Sequence, residues 1–80
     1  MTSFSTTHKW DKKFVKLDLR TKKVVLKKID KIVENPLLGK PLHKPLQNRY
    51  SERVEKLRII YKYLAGHVTF LYFEDRGHVY

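Results

Sequence analysis

The side chains with reactive potential in this sequence are cationic or aromatic and lie in its C-terminal half. They are Arg53, Arg58, Arg76, His78 and Tyr80. A guanidinium group donates paired hydrogen bonds to a phosphate and stabilises the additional negative charge of a phosphoryl transition state. An aromatic ring stacks on an unpaired base, and a histidine exchanges protons near neutral pH. These groups are suited to the cleavage of RNA through its 2′-hydroxyl.

Ion pairs on a sheet surface are the structural alternative for two of the arginines. The candidate partners are Glu52 or Asp75 for Arg58, and Glu55 or Glu74 for Arg53. In the antiparallel strands described below, the start of one strand lies beside the end of the next. We therefore expect Arg58 to approach Arg76, so that several cations converge.

Other kinds of catalytic site have little support. The sequence has no cysteine, which excludes disulfides, thiolate catalysis and the common zinc clusters. It has neither a glycine-rich phosphate loop nor a recognisable pair of catalytic carboxylates. The histidines are far apart and lack metal-ligand spacing; they are His8, His43, His67 and His78. We expect a site that needs neither metal nor cofactor.

Size and composition predict a small folded protein. The chain has 80 residues, of which 41% are hydrophobic. A chain of this length buries only about 60% of its unfolded surface, so we expect one domain over residues 1–80. The opening segment MTSFSTTHKW lacks the apolar core of a signal peptide, and no apolar run approaches the ~20 residues of a membrane span. These features predict a soluble, cytoplasmic protein without a membrane partner.

The charge of the chain is strongly positive. Lysine and arginine number 18 against 8 acidic residues, a formal net charge of +10. Such self-repulsion in a small protein favours a polyanionic partner, of which nucleic acid is the leading candidate. The alternative is that the lysines only keep the protein soluble. Charge alone does not separate RNA from DNA or from a membrane surface.

The first half of the chain has helical periodicity. In residues 8–17 the apolar positions fall at i, i+4 and i+7, which predicts a short amphipathic helix. Asp18 can cap a second helix, which Asn35 and Pro36 should end. Together the two predict an N-terminal helical hairpin. The apolar positions of the first helix are Trp10, Phe14 and Leu17.

Lysines give the second helix a positive face. Between residues 20 and 31 there are six lysines or arginines and one acid, Asp30. Phosphate contact and an ordinary solvated face are both open interpretations. The proline-rich segment 36–46 is expected to be an extended, turn-rich connection. The candidate contacts to RNA or the ribosome are Lys22, Lys23 and Lys27 on the helix and Lys40 and Lys44 on this loop.

The second half of the chain predicts an antiparallel meander. The expected strands are Arg49 to Val54, Leu57 to Leu64 and His67 to Glu74, with a tight turn at Ala65-Gly66. The fold class is therefore α+β, a helical hairpin packed on a twisted antiparallel sheet.

Simple alternation along these strands assigns side chains to the two faces of the sheet. It places Val68, Phe70 and Tyr72 on one face of the last strand and Thr69, Leu71 and Phe73 on the other. The face that the helices leave open is expected to carry an apolar patch beside Arg53 and Arg58. The patch would comprise Ile60, Leu64, Leu71 and Phe73.

Three stretches resemble the RelE/ParE toxin superfamily. They are NPLLGKPLHKPL, RYSERVEKLRIIYKY and VTFLYFEDRGHVY, and FVKLDLRTKKVVLKKIDKIVENP is similar to the helical hairpin of that superfamily. The resemblance covers nearly the whole chain. It implies a short N-terminal strand, here within Met1 to Ser5, before the hairpin and sheet. It also implies a toxin of a type II toxin–antitoxin system, neutralised by a cognate antitoxin in a hetero-oligomeric complex.

The resemblance also implies roles for individual residues. Members that cleave RNA act on messenger RNA in the ribosomal A site, without metal, through cations on the sheet and a tyrosine near the C-terminus. Arg53, Arg58, Arg76 and Tyr80 match those positions, and some relatives use a histidine where this chain has His78. Two alternatives remain: a ParE-like toxin that binds DNA gyrase without nuclease activity, and a catalytically weakened binding module. The last follows from Ser51, which stands where the best-known RelE proteins have a lysine.

Overall fold

A computed structural model describes residues 2–42 and 48–75 of the chain. The helices are α1 (His8–Phe14) and α2 (Leu19–Glu34), and the strands are β1 (Ser3–Thr6), β2 (Lys40–Pro41), β3 (Arg49–Val54), β4 (Leu57–Leu64) and β5 (His67–Asp75). The strands form one sheet in the order β1-β5-β4-β3-β2. The predictions for His43, Lys44, Arg76, His78 and Tyr80 fall outside the described residues.

The α+β fold class is confirmed, and the sheet differs from the prediction in two ways. Strands β3 and β4 have the predicted bounds, and β5 continues one residue further. The sheet is mixed rather than antiparallel, because β1 pairs in parallel with β5. The proline-rich connection contains β2, a two-residue edge strand antiparallel to β3 that the sequence analysis did not predict.

The helix ends follow from capping. Thr7 caps α1, with its hydroxyl accepting the Trp10 N–H at 3.1 Å, and Asp18 caps α2, accepting the Thr21 N–H at 2.8 Å. Helix α1 ends at Phe14, earlier than predicted, because the next residues form a tight turn that leads to the Asp18 cap. Helix α2 ends before Pro36, as expected.

Both helices bury their apolar residues against one face of the sheet, whereas the packing of α1 and α2 together as a hairpin stays a prediction. We call this the helix face and the opposite one the open face. Burial of these side chains is the main stabilising contribution to the fold. The core cluster consists of Trp10, Val25, Ile29, Ile32, Val54, Ile59, Tyr61, Val68 and Phe70.

Two features fix the register of the antiparallel strands. Ala65 and Gly66 both have positive φ, 52° and 76°, as a two-residue hairpin turn with primed geometry requires. Further along, Ile60 pairs with Tyr72 whereas the next residue, Tyr61, pairs with Phe70, so β5 has a bulge. A bulge adds one residue to a strand and reverses the alternation of side chains beyond it.

The bulge overturns part of the face assignment. The prediction that Tyr72 shares a face with Val68 and Phe70 is wrong, because Tyr72 pairs with Ile60 on the open face. Phe73 lies instead on the helix face, where its ring stacks on that of Trp10 with 4.0 Å between centroids. Alternation predicts faces only while the pairing is regular.

The predicted apolar patch on the open face is therefore mostly absent. Phe73 belongs to the helix face, and Ile60 is only 1% exposed. Leu71 is half-buried, whereas Leu64 is 50% exposed.

A buried tyrosine fastens the connection after α2 to the middle of the sheet. The Tyr61 hydroxyl donates to the Pro36 carbonyl at 2.8 Å and accepts the Gly39 N–H at 2.9 Å. A Cβ atom on Gly39 would lie 2.7 Å from both the Tyr61 hydroxyl and the Ser51 carbonyl oxygen. Only glycine allows this close approach, which sets the position of β2 beside β3.

The first prediction concerns the two hydrogen bonds of Tyr61. We expect Tyr61→Phe to lower the free energy of unfolding by about 1–3 kcal/mol, because two backbone groups lose their partner. Urea denaturation measures this loss. Tyr63→Phe, on the same strand and face, is the control and should cost less. Equal losses in the two variants would show that the hydroxyl does not fasten the loop.

The second prediction concerns pH. Burial raises the pKa of Tyr61 above its usual value of 10.0. The contribution of the neutral phenol to stability is then complete below about pH 10, the unfolded-state value, and is lost as pH rises through the higher folded-state pKa. Unfolding free energies measured across this range should fall more steeply for the parent than for Tyr61→Phe. Parallel pH curves would contradict this.

Candidate nucleic-acid interface

Cationic side chains from three neighbouring strands meet on the open face. A cavity of about 250 Å³ is lined by Lys40, Ser51, Glu52, Arg53 and Arg58. We call this the basic cavity. Its cations come from β2, β3 and β4, so sheet pairing, rather than proximity in sequence, brings them together.

The strand register explains each position. Lys40 pairs with Ser51, and Ser51 pairs in turn with Ile60. Arg53 and Arg58 are directly paired, and cross-strand partners share a face of the sheet. Two guanidinium groups and one ammonium group are therefore directed to the same region of the open face.

An acidic residue holds one of these arginines. Arg58 donates from Nε at 3.0 Å and from an Nη atom at 2.7 Å to the same carboxylate oxygen of Glu74, its partner on β5. Both side chains are partly exposed. An ion pair of this exposure is worth only about 0–1 kcal/mol, so an incoming phosphate can compete with Glu74 for Arg58.

The electrostatics of the basic cavity favour an anion. Like charges directly opposite each other on a sheet are destabilising. The Arg53–Arg58 pair has this arrangement. Glu74 offsets part of the repulsion through Arg58, and no ion pair among the described residues involves Arg53. A bound phosphate would neutralise the excess charge.

The two arginines do not form the ion pairs with glutamate that the sequence suggested. Arg58 pairs with Glu74 and not with Glu52. Glu52 also lines the basic cavity, but its carboxylate lies 3.6 Å from Lys28 of α2 and is therefore directed to the helix face. Glu55, the suggested partner of Arg53, lies 3.9 Å from Arg20. The suggested pairings of Arg58 with Glu52 and of Arg53 with Glu55 or Glu74 are therefore wrong. The pairing of Arg58 with Asp75 stays a prediction, because the side chain of Asp75 lies outside the described residues.

The other predicted contact residues are divided between the two sides of the sheet. Lys40 lines the basic cavity with Arg53 and Arg58. Lys22, Lys23 and Lys27 lie on α2, which packs on the helix face, so they are on the opposite side of the sheet from the cavity. Arg76, His78, Tyr80 and Lys44 fall outside the described residues, and their roles stay predictions.

Sequence reasoning missed the pairing of Arg58 with Glu74. Counting back from the Ala65-Gly66 turn without a bulge would place Phe73 opposite Arg58; the bulge moves Glu74 there. It also missed that Ser51 is 5% exposed at the junction of β2, β3 and β4. The sequence Gly39-Lys40-Pro41 was the signal that could have placed Lys40 beside Ser51, because Gly39 permits the close approach that forms β2.

The described residues contain neither a cluster of metal-ligand side chains nor a membrane-spanning helix. Within residues 2–42 and 48–75, no three histidine, cysteine or acidic side chains are grouped as metal ligands would be. In the same part of the chain, no helix has both the length and the apolarity to cross a bilayer.

Comparison with solved structures identifies the fold. A chain of the RelBE2 toxin–antitoxin complex from Mycobacterium tuberculosis superimposes with a TM-score of 0.81 at 24% identity, covering 94% of this chain and 98% of that one. The RelBE complex of E. coli gives 0.81 at 14% identity, with 94% and 96% covered. The archaeal RelE–RelB complex from Pyrococcus horikoshii gives 0.78 at 16% identity, with 98% of both covered.

No protein-family model matches the sequence, and no curated protein matches it significantly. The assignment of the fold therefore rests on structural likeness. This likeness extends over nearly the full length of the compared chains. The chain has the RelE-like toxin fold, as its sequence resemblance predicted.

The third prediction tests competition within the basic cavity. Glu74→Gln should tighten the binding of a dinucleotide phosphodiester by up to about fivefold, because Arg58 loses a competitor worth at most about 1 kcal/mol. Titration followed through the Arg58 Nε–H NMR signal measures the affinity. Glu55→Gln makes the same charge change away from the cavity, and an equal gain there would refute local competition.

Proposed function

We propose that this protein is the toxin of a type II toxin–antitoxin system and that it cleaves messenger RNA on the ribosome without a metal. One observation carries the proposal: Lys40, Arg53 and Arg58, from three adjacent strands, line one cavity of the open face. The RelE-like fold supports it, since the similar structures include toxin–antitoxin complexes. The proposal treats residues 1–80 as one toxin domain that acts in the cytoplasm.

The chemistry is a transesterification within the RNA strand. A ribose 2′-oxygen attacks the adjacent phosphorus, and the bond from phosphorus to the 5′-oxygen of the next nucleotide breaks. The products are a 2′,3′-cyclic phosphate and a 5′-hydroxyl, so no water is consumed. One proton leaves the 2′-hydroxyl, and one reaches the departing 5′-oxygen.

The basic cavity would stabilise the charge that this step develops. Arg53 and Arg58 hold the non-bridging oxygens of the scissile phosphate, and Lys40 adds a third positive charge beside them. The β-strands fix the backbone positions of both arginines, and the phosphate replaces Glu74 as the partner of Arg58. Ser51, nearly buried beside Lys40, has an uncharged hydroxyl and so does not supply the positive charge that a lysine would at this position.

The remaining roles in the proposal come from the sequence resemblance. Arg76 supports the developing charge, and Tyr80 or His78 transfers a proton or stacks on a base. The ribosome positions the message, so the isolated protein is expected to have little activity on free RNA. The proposed protein partner is a cognate antitoxin, by analogy with the complexes that share the fold.

The fourth prediction tests catalysis directly. In a reconstituted translation reaction, the protein should cut messages within the codon in the ribosomal A site. Arg53→Ala and Arg58→Ala should each reduce the cleavage rate about 100-fold or more, the usual effect of removing one donor to a developing oxyanion. Mapping of message 5′ ends measures both site and rate.

The control for this experiment is Arg20→Ala, which removes an exposed arginine on α2 outside the basic cavity. It should cut as the parent does. Full cleavage by the Arg53 and Arg58 variants would overturn the assignment of the site. Intact messages together with inhibited supercoiling by gyrase would overturn the proposed reaction and favour a gyrase-binding toxin.

A further inference from the structure

A second cationic surface lies on α1, apart from every residue assigned above. Its four lysines are Lys9, Lys12, Lys13 and Lys16, which together line a shallow cavity of about 260 Å³. Their spacing is i, i+3, i+4 and i+7, which gathers them on one side of a helix. Lys16 follows the helix, and its N–H bonds to the Lys13 carbonyl at 3.1 Å, so the turn continues to it. We call this set the lysine stripe.

The described residues supply the lysine stripe with no acidic partner. Their ion pairs involve Arg20, Lys28 and Arg58, none of which belongs to the stripe. Asp11, the acid on α1, instead accepts a hydrogen bond from the Thr6 hydroxyl at 2.8 Å. Like charges at these spacings destabilise a helix. Such an arrangement favours an anion from outside the chain.

The lysine stripe is connected to the open face at the edge of the sheet. Strand β1 pairs with the edge of β5 only as far as Phe70. Beyond that point α1 takes its place, with the Thr7 N–H bonded to the Phe70 carbonyl at 3.2 Å and the Thr7 hydroxyl bonded to the Leu71 carbonyl. Lys9 extends round this edge, with Nζ 4.8 Å from the centroid of the Tyr72 ring.

Tyr72 joins the lysine stripe to the basic cavity. It lies on the open face opposite Ile60, two residues before Glu74, the carboxylate that holds Arg58. Residues two apart on a strand are separated by about 7 Å. A continuous path therefore runs from Arg58 past the Tyr72 ring to Lys9 and along α1.

We propose that the lysine stripe and Tyr72 form a track for the RNA strand that flanks the scissile phosphate. The inference rests on the proposed function for the identity of the polyanion. The stripe extends about 10 Å along the helix axis, which is long enough to contact more than one phosphate of a nucleic-acid strand. The Tyr72 ring, between the stripe and the cavity, can stack on a base.

A membrane surface fits these observations less well. Binding to a bilayer by an amphipathic helix requires an apolar face that can enter the lipid. The Trp10 side chain of α1 is 2% exposed and stacks on Phe73 within the core. The apolar face of α1 is therefore packed against the sheet and is not available to enter a bilayer.

Two charge-matched triple variants test the track. The first replaces Lys12, Lys13 and Lys16 of the stripe with glutamine. The second replaces Arg20 and Lys31 of α2 and Lys56 of the turn between β3 and β4 with glutamine. All six side chains are exposed, and each variant loses three charges. The probe is a 2′-O-methylated single-stranded RNA oligonucleotide, which lacks the 2′-hydroxyl nucleophile. Fluorescence anisotropy at several salt concentrations gives its dissociation constant.

We expect the stripe variant to bind more weakly and to reduce the slope of log K against log salt by about 2, at about 0.7 per lysine for a single strand. The second variant should keep the slope of the parent. Replacement of the same stripe lysines by arginine should retain binding. Thermal unfolding followed by circular dichroism establishes that each variant is folded.

Several results would overturn the track. They are equal effects of the two triple variants, an unchanged slope in the stripe variant, and stripe-dependent binding to anionic phospholipid vesicles without binding to RNA. Message cleavage by the parent tests the proposed function separately. A parent that binds the oligonucleotide through the stripe but cuts no message would refute the nuclease and leave the track in place.

Discussion

The register of the three central strands is the constraint on which the candidate site depends. Two-residue connections join β3 to β4 and β4 to β5, and a bulge at Leu71 shifts the second pairing by one residue. These features put Arg58 opposite Arg53 on one side and opposite Glu74 on the other. A one-residue slip would move side chains to the other face of the sheet and disperse the basic cavity.

Packing on the helix face supports the geometry of the open face. The Tyr61 ring is buried among core residues, and its hydroxyl bonds to both Pro36 and Gly39 of the loop after α2. That loop leads directly into β2, which brings Lys40 beside Ser51. Strand β4 thus contributes Tyr61 to the core on the helix face and Arg58 to the basic cavity on the open face.

Local signals in the sequence were sufficient for most elements, and contacts between distant residues explain what was missed. Alternation and turn residues predicted β3 and β4 with their observed bounds, because both signals are local. Strand β2 was not predicted, since it is two residues long and contains a proline, which is tolerated at a sheet edge. The bulge depends on how β5 fits both β4 and α1. The pairing of Arg58 with Glu74 could therefore not be predicted from alternation, although the arginines themselves could.

The central claim is that Arg53 and Arg58 together hold one phosphodiester. A crystal structure of the protein with a 2′-deoxy dinucleotide, which lacks the attacking hydroxyl, tests it most directly. The account predicts the phosphate in the basic cavity, with both guanidinium groups within about 3 Å of its oxygens. A phosphate bound only by the lysines of α2, with the Arg58–Glu74 ion pair intact, would contradict it.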